Sequence, residues 1–285
     1  MSQIYDDTLC ALGEGPLWHP TLKQLFWFDI LNNRLYTKTG DKLHHWSFSE
    51  QVSAAGWVDA TTLLIASETA LFRFDLTSGI RNDVLQLEAN NPVTRSNDGR
   101  ADPYGGFWIG TMGKNEEHEA GAIYRYYRGT LRCLFPNITI PNAICFTPDR
   151  RFAHYTDTLT QQVMKTALDA EGWPTGTPEI FLDLRAEGLY PDGAVVDAAG
   201  NLWLAQWGAF RVACYDPQGR FLTAIPFDAP QTSCPAFGGP DLSTLYCTSA
   251  NKLLSAAALE AHPKSGMTFC APDTGQGQAE HQVIL

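Results

Sequence analysis

The sequence predicts an all-β protein, a six-bladed β-propeller with four-stranded blades around a central channel. Long amphipathic helix patterns are absent, and only residues 252–263 (KLLSAAALEAHP) have the composition of a short helix. Elsewhere, short runs of aromatic and β-branched residues alternate with turns rich in Asp, Pro and Gly, a pattern typical of β-strands. Similar segments also recur roughly every 40 to 50 residues, which is the period of propeller blades.

The strand signals follow one another along most of the chain. In order they are QLFWFDI, TLLIAS, LFRFDL, GFWIGTM, AIYRYYR, LWLAQW, RVACYD and TLYCTS. Six longer segments each combine a short apolar strand, a turn and a second apolar strand. These segments are residues 13–29, 53–67, 97–111, 141–157, 189–205 and 234–249. We therefore expect residues 1–285 to form a single propeller domain.

When the six segments are aligned on their turns, one position before the turn holds several polar residues. This position, six residues before the second turn residue, holds Glu14, Ala54, Asn97, Asn142, Asp192 and Cys234. Equivalent positions of propeller blades lie at the same height around the axis. If the position begins the innermost strand of each blade, these side chains form a ring at one mouth of the channel.

The same alignment separates two aspartates that lie close together in YPDGAVVDAAG. Asp192 belongs to the ring. Asp197 falls at the turn position that is occupied in other segments by His19, Asp59, Asp102 and Thr147. Because this position holds turn residues in the other segments, we assign Asp197 a structural role.

The ring offers oxygen donors for a cation. Glu14, Asn142 and Asp192 carry hard oxygen atoms and two negative charges, which suit Ca²⁺, Mg²⁺ or Mn²⁺. Zn²⁺ or Fe²⁺ is also compatible, although no histidine falls on the ring to favour it. Without a metal, two carboxylates in a narrow channel would repel, and one would take up a proton. In the alternative interpretation, the polar residues only cap the inner strands and bind channel water.

A metal at an open channel mouth suggests hydrolysis without a protein nucleophile. The metal would polarise a carbonyl and lower the pKa of a bound water, while a nearby carboxylate accepts the proton of that water. The sequence has no GxSxG, HExxH or GxxxxGK motif, which removes several other hydrolase classes.

Four stretches resemble a known family. GEGPLW, RSNDGRADPYGGFWIGTM, IPNAICFTPD and YPDGAVVDAAGNLWLA occur in the order and spacing of the SMP-30/gluconolactonase/LRE-like family, and the resemblance covers nearly the whole chain. It implies a six-bladed propeller that hydrolyses sugar lactones with one divalent metal ion, Ca, Zn, Mn, Mg or Fe.

The resemblance also implies roles for individual residues. By position, Glu14, Asn142 and Asp192 would bind the metal, and Asp192 would serve as the catalytic general acid/base. Arg95 and Asn97, in RSNDG, match residues that hold the hydroxyls and ring oxygens of the substrate. The expected reaction is the conversion of an aldonolactone to an aldonic acid by a water that Asp192 activates.

The loop NEEHE, residues 115–119, is a second acidic cluster. It lies between two strand signals and is expected to be a solvated hairpin loop, although its length would allow it to cover the channel mouth. In some family members a glutamate shortly after GTM contacts the substrate, and Glu116 and Glu117 both remain candidates here. Cys234 is expected to be a small packing residue. Trp27, Trp108 and Trp203 are expected between blades, whereas Trp207 lies nearer the mouth.

Composition excludes several classes of partner. The formal net charge of −11, without a basic cluster, argues against nucleic acid. The sequence begins without a secretory signal pattern, and no apolar run is long enough to span a membrane. The seven cysteines are scattered without CxxC spacing, which is typical of a reducing compartment. We expect a cytoplasmic protein, a monomer or weak homodimer, acting on a small sugar lactone.

Two other functions remain open from the sequence. A phosphotriesterase-like hydrolase could use the same fold and a metal in the channel. A propeller could also act as a binding platform in which a metal has only a structural role. Fold alone does not choose among these functions, because propellers host unrelated chemistries.

Overall fold

Six four-stranded antiparallel sheets form the blades of a β-propeller in the computed structural model, which describes residues 1–285. The predicted fold class is thus confirmed. Blade 1 contains β2 (Gly13–His19), β3 (Gln24–Asp29), β4 (Arg34–Thr39) and β5 (Lys42–Ser47). Blade 2 contains β6 (Val52–Trp57), β7 (Thr62–Ser67), β8 (Ala70–Asp75) and β9 (Arg81–Gln86). Blade 3 contains β10 (Thr94–Ala101), β11 (Phe107–Gly113), β12 (Gly121–Tyr127) and β13 (Thr130–Ile138).

The second half of the chain repeats this arrangement. Blade 4 contains β14 (Pro141–Phe146), β15 (Phe152–Asp157), β16 (Gln162–Leu168) and β17 (Pro174–Asp183), with the 3₁₀-helix Thr158–Thr160 between β15 and β16. Blade 5 contains β18 (Tyr190–Val196), β19 (Leu202–Trp207), β20 (Arg211–Tyr215) and β21 (Phe221–Pro226). Blade 6 contains β22 (Thr232–Gly238), β23 (Thr244–Ser249) and β24 (Thr268–Ala271), and the helix α1 (Ala256–Ala261) precedes β24.

The outer strand of blade 6 comes from the other end of the chain. The strand β1 (Gln3–Asp6) pairs antiparallel with β24, so blade 6 has the order β1-β24-β23-β22. This pairing closes the ring of blades by backbone hydrogen bonds between the first and last strands. A closed ring leaves no open edge at the junction of the first and last blades.

Aromatic and aliphatic side chains fill the space between blades. Trp27 and Trp108 are completely buried, and Trp203 is nearly so, as predicted. Five of the seven cysteines are also buried, and none forms a disulfide; Cys133 is exposed and Cys270 is half-buried. No helix is long and apolar enough to cross a membrane.

The turn position that contains Asp197 has the structural role predicted for it. Its Oδ1 accepts hydrogen bonds from the amides of Ala199 and Asn201, both at 2.9 Å. Its Oδ2 accepts from Asn201 Nδ2 and from the indole of Trp203, again at 2.9 Å. Asp102 likewise accepts the amides of Tyr104 and Gly106. These carboxylates therefore fix the turn between the first and second strands.

We predict that Asp197→Ala lowers the free energy of unfolding by about 2 to 4 kcal/mol, because it leaves the buried indole of Trp203 and three partly buried donors without a partner. Asp149→Ala is the matched control, since this exposed aspartate accepts only Thr147 Oγ1 and the Arg151 amide. The control should change stability by less than about 1 kcal/mol. Chemical denaturation measures both variants, and equal losses would contradict the assignment of Asp197.

Candidate metal centre

Each innermost strand carries its ring residue at an irregularity in the sheet. The registers of β2 with β3, β14 with β15, and β18 with β19 shift between Glu14 and Leu17, between Asn142 and Cys145, and between Pro191 and Ala194. The innermost strands of the other three blades shift at the corresponding place. A β-bulge changes the direction of a side chain relative to the regular pleat, and bulges are frequent beside active sites. The ring position is therefore a structural repeat as well as a sequence repeat.

The predicted site residues come together in one cavity. Glu14, Arg95, Asn97, Asn142 and Asp192 all line a cavity of about 250 Å³ at the beginning of the innermost strands. They are at most 5% exposed. The remaining ring residues, Ala54 and Cys234, are buried but do not line it. Cys234 packs on Gly193, where an added β-carbon would lie 2.3 Å from its sulfur.

Glu14 and Asp192 are buried carboxylates without an ion-pair partner. No lysine, arginine or histidine nitrogen lies within 4.0 Å of either one, and Glu14 Oε2 accepts only the Gly15 amide at 3.0 Å. Burial, reinforced by Asp98, raises the pKa of Glu14 to about 8. Burial, reinforced by the charge of Glu14, raises the pKa of Asp192 well above its ordinary value. Burial is the main cause of both shifts, and neighbouring carboxylates add to it.

A chain of hydrogen bonds orients the amide of Asn142. Asn142 Nδ2 donates to Thr158 Oγ1 at 2.9 Å, and Thr158 Oγ1 donates to the Pro191 carbonyl at 2.8 Å. On the other side, Asn97 Nδ2 donates to Asn142 Oδ1 at 3.0 Å. These bonds fix the amide oxygen of Asn142 toward the cavity and leave one of its two lone pairs unused.

Arg95 and Asn97 differ in what they can offer a ligand. Arg95 Nη1 donates to Ser96 O and to Asn97 Oδ1, both at 2.8 Å, whereas its Nη2 and Nε have no protein partner. Burial lowers the pKa of Arg95 to about 10, so the guanidinium is still charged at neutral pH. Asn97 Nδ2 is already committed to Pro141 O and Asn142 Oδ1. Only its carbonyl oxygen has capacity left to accept a hydrogen bond.

An ion pair joins two loops at the cavity mouth. Glu116, in the loop between β11 and β12, lies 2.6 Å from Lys252 Nζ in the segment after β23. The two loops belong to blades 3 and 6, which face each other across a ring of six. Both side chains line the cavity, so part of loop 115–119 lies beside the mouth. Glu117 does not line it, and its carboxylate accepts from Asn115 N and Nδ2 instead.

Sequence reasoning missed Thr158 and Lys252 as site residues and did not resolve Glu116. All three lie in segments that do not follow the blade repeat, so alignment of repeats carried no signal for them. Thr158 begins the short 3₁₀-helix between β15 and β16. Trp207 also lines the cavity, near the mouth as expected.

The donor set fits a hard divalent cation. It consists of two buried carboxylates without a direct ion pair and one amide oxygen that is held in place by Asn97 and Thr158. Oxygen donors with two negative charges are what Ca²⁺, Mg²⁺ and Mn²⁺ prefer. No group of three or more His, Cys, Asp and Glu side chains has the arrangement of a metal site. The fit therefore depends on the Asn142 amide as the third protein donor.

Most of the chain matches the model of one known protein family. The profile of the SMP-30/Gluconolactonase/LRE-like region matches residues 12–251, a span that contains all the cavity residues named above except Lys252. The chain belongs to this family.

Individual family members support the relationship over nearly the full chain. A Rhizobium meliloti (strain 1021) protein with the provisional name sugar lactone lactonase is 41% identical, over 90% of this chain and 88% of its own. L-arabinolactonase of Azospirillum brasilense is 34% identical over 96% and 92%. The crystal structure of a calcium-binding protein, regucalcin, from Agrobacterium tumefaciens str. C58 matches with a TM-score of 0.98 and 37% identity, covering 100% of this chain and 98% of that one.

We predict that the cation-free protein becomes less stable as pH rises from about 4.5 to about 8. The folded state raises the pKa of Glu14, so between its ordinary pKa and the raised one the native protein holds a proton that the unfolded chain has released. At low pH the bound proton contributes its full stabilisation to the native protein. This stabilisation is lost as the pH rises through the raised pKa of Glu14. The expected fall is about 2 to 4 kcal/mol.

Denaturation of chelated protein at a series of pH values measures this fall. In Glu14→Gln the slope should flatten, because the titrating group is gone. A slope that is the same in both proteins, or stability that increases over this range, would contradict the raised pKa of Glu14.

Proposed function

We propose that this protein is a divalent-cation-dependent carboxylic-ester hydrolase that opens sugar lactones to aldonic acids. The observation that supports it most is the pair of buried carboxylates, Glu14 and Asp192, which share one cavity with the oriented amide oxygen of Asn142 and without an ion-pair partner. Relatives named L-arabinolactonase, 6-deoxy-6-sulfogluconolactonase from Pseudomonas putida, and pentonolactonase from Haloferax volcanii support lactones as the substrate class.

The size of the cavity supports a small substrate. Ligand pockets commonly measure about 300 to 1,000 Å³, and a cavity of about 250 Å³ lies just below that range. It suits a single sugar ring better than a larger ester. Apolar side chains such as Met112, Ile140 and Leu253 complete the wall around the polar groups.

A cation held by Glu14, Asn142 and Asp192 would polarise the lactone carbonyl and lower the pKa of a water beside it. Asp192 accepts a proton from the attacking water while the oxygen of that water forms a bond to the carbonyl carbon. As the bond between that carbon and the ring oxygen breaks, Asp192 returns the proton to the departing ring oxygen. The products are the carboxyl group and the free hydroxyl of one open chain.

Arg95 would hold the sugar during this exchange, and Asn97 would support the site beside it. The unpaired Nη2 and Nε of Arg95 can donate to substrate hydroxyl or ring oxygens, and the charge of the guanidinium stabilises negative charge that develops on the substrate. Asn97 contributes mainly by orienting Asn142, since its amide hydrogens are already used. At the mouth, Glu116 and Lys252 offer a further acceptor and donors to the hydroxyls that face outward.

We predict that chelated protein reloaded with single metals releases acid from aldonolactones faster than spontaneous hydrolysis does. Ca²⁺, Mg²⁺, Mn²⁺, Zn²⁺ and Fe²⁺ are tested in parallel, with gluconolactone and arabinonolactone as substrates. Asp192→Asn keeps the shape of the side chain but removes the base and a charged ligand. Its kcat/KM should fall about a thousandfold, in the range of general-base effects.

Asp149→Asn is the control, because it removes a carboxylate of the same kind from an exposed turn far from the cavity and should keep full activity. No metal-dependent acid release from any aldonolactone would contradict the proposal. Turnover of a phosphotriester in place of lactones would instead favour a phosphotriesterase-like hydrolase. Full activity of folded Asp192→Asn would refute the role of that residue.

A further inference from the structure

Residues 276–284, which we call the strap, cross the end of the channel opposite the cavity. The amide of Ala198 in blade 5 donates to Gln276 O at 2.8 Å, and the amide of Gly277 donates to Leu242 O in blade 6 at 2.9 Å. At its other end the strap amides of Val283 and Ile284 donate to Trp57 O in blade 2 and Gly105 O in blade 3, both at 2.9 Å. The strap therefore bridges blades across the channel.

Close packing fixes this segment. A β-carbon on Gly277 would lie 2.2 Å from the Phe237 Cβ, so only glycine fits there. Gln278 Nε2 donates to Val196 O at 2.9 Å, and the indole of Trp57 donates to Glu280 O at 2.8 Å. Val283 is almost completely buried in the core near Phe107 and Ala101. The strap has the contacts of an ordered structural element.

One strap side chain enters the channel. The carboxylate of Glu280 pairs with Arg100 of β10, and the two side chains are 7% and 10% exposed. Arg100 in turn donates to Ile144 O and Ala194 O, both at 3.3 Å. Ile144 and Ala194 stand two residues after Asn142 and Asp192 on β14 and β18. A single guanidinium thus connects the strap to two strands that carry proposed metal ligands.

We propose that Glu280 is a positioning residue for the cation site. By pairing with Arg100, Glu280 holds the guanidinium against the carbonyls of Ile144 and Ala194 and fixes the spacing of β14 and β18. The inference rests on the proposed function, because it takes Asn142 and Asp192 as ligands. The strap then supports the channel from the end that lies opposite the cavity.

The charges in the channel also predict that loss of Glu280 weakens cation binding. Loss of the Glu280 carboxylate would remove the ion pair of the buried Arg100, which is strongly unfavourable. An unpaired positive charge in the same channel would also oppose the binding of a divalent cation. Both effects reduce cation affinity, although Glu280 touches neither the cation ligands nor the cavity.

The test measures Mn²⁺ affinity by titration calorimetry on chelated protein, without substrate. We expect Glu280→Gln to weaken Mn²⁺ binding about tenfold. This is the lower end of the loss of metal affinity that follows mutation of residues supporting metal ligands. The electron paramagnetic resonance spectrum of bound Mn²⁺ should change as well, which a general loss of stability would not cause. Glu260→Gln is the matched control: it removes the same charge from an exposed position in α1 and should bind as the wild type does.

Equal Mn²⁺ affinity and spectra of wild type and Glu280→Gln would overturn this inference and leave the proposed function intact. Failure of the wild type to bind Mn²⁺ would overturn both. If Glu280→Gln does not fold, hydrogen exchange of the wild type decides. Because coupling is reciprocal, Mn²⁺ should slow exchange at the amides of Gly277, Val283 and Ile284. Unchanged exchange at all three would refute the connection.

Discussion

Convergence of two buried carboxylates at one mouth of the channel is the constraint that governs this molecule. Glu14 and Asp192 lie nearly 180 residues apart in the sequence, in blades 1 and 5, and only closure of the propeller brings them into one cavity. Neither has an ion-pair partner, and burial raises the pKa of both. A fold that keeps such a pair must offset its cost, and a bound cation does so most directly.

The residues around Glu14 and Asp192 are arranged in a way that suits a cation. The bonds from Thr158 through Asn142 to Asn97 aim an amide oxygen into the cavity, while Arg95 keeps two nitrogens free for a ligand. At the far end of the channel the positive charge of Arg100 is neutralised by Glu280. The channel thus has one acidic, open end and one paired, closed end. This polarity supports the proposed binding of a cation near the mouth.

Much of this arrangement could be predicted from the sequence, because the blade repeat itself carries the information. Equivalent residues of a propeller share a height around the axis, so alignment of the turns was enough to group Glu14, Asn142 and Asp192 and to separate Asp197 from them. The contribution of Thr158, the choice of Glu116 over Glu117, and the contact of Lys252 depend on connections between strands. Those connections follow no repeat, and their conformations are set by tertiary packing.

The strap lay beyond sequence reasoning for a related reason. Residues 276–284 follow the last strand and match no segment of the repeat, and nothing in GQGQAEHQVI marks Glu280 as a channel residue. The position of the strap depends on backbone hydrogen bonds to four blades and on the fit of Gly277 against Phe237. Long-range contacts of this kind have no local pattern.

Anomalous diffraction from a crystal soaked in Mn²⁺ would locate the cation in the channel. We expect one strong peak in the cavity, with oxygen atoms of Glu14, Asn142 and Asp192 all within about 2.6 Å of it. A cavity without a peak at saturating Mn²⁺, or a peak that these three side chains do not contact, would contradict this expectation.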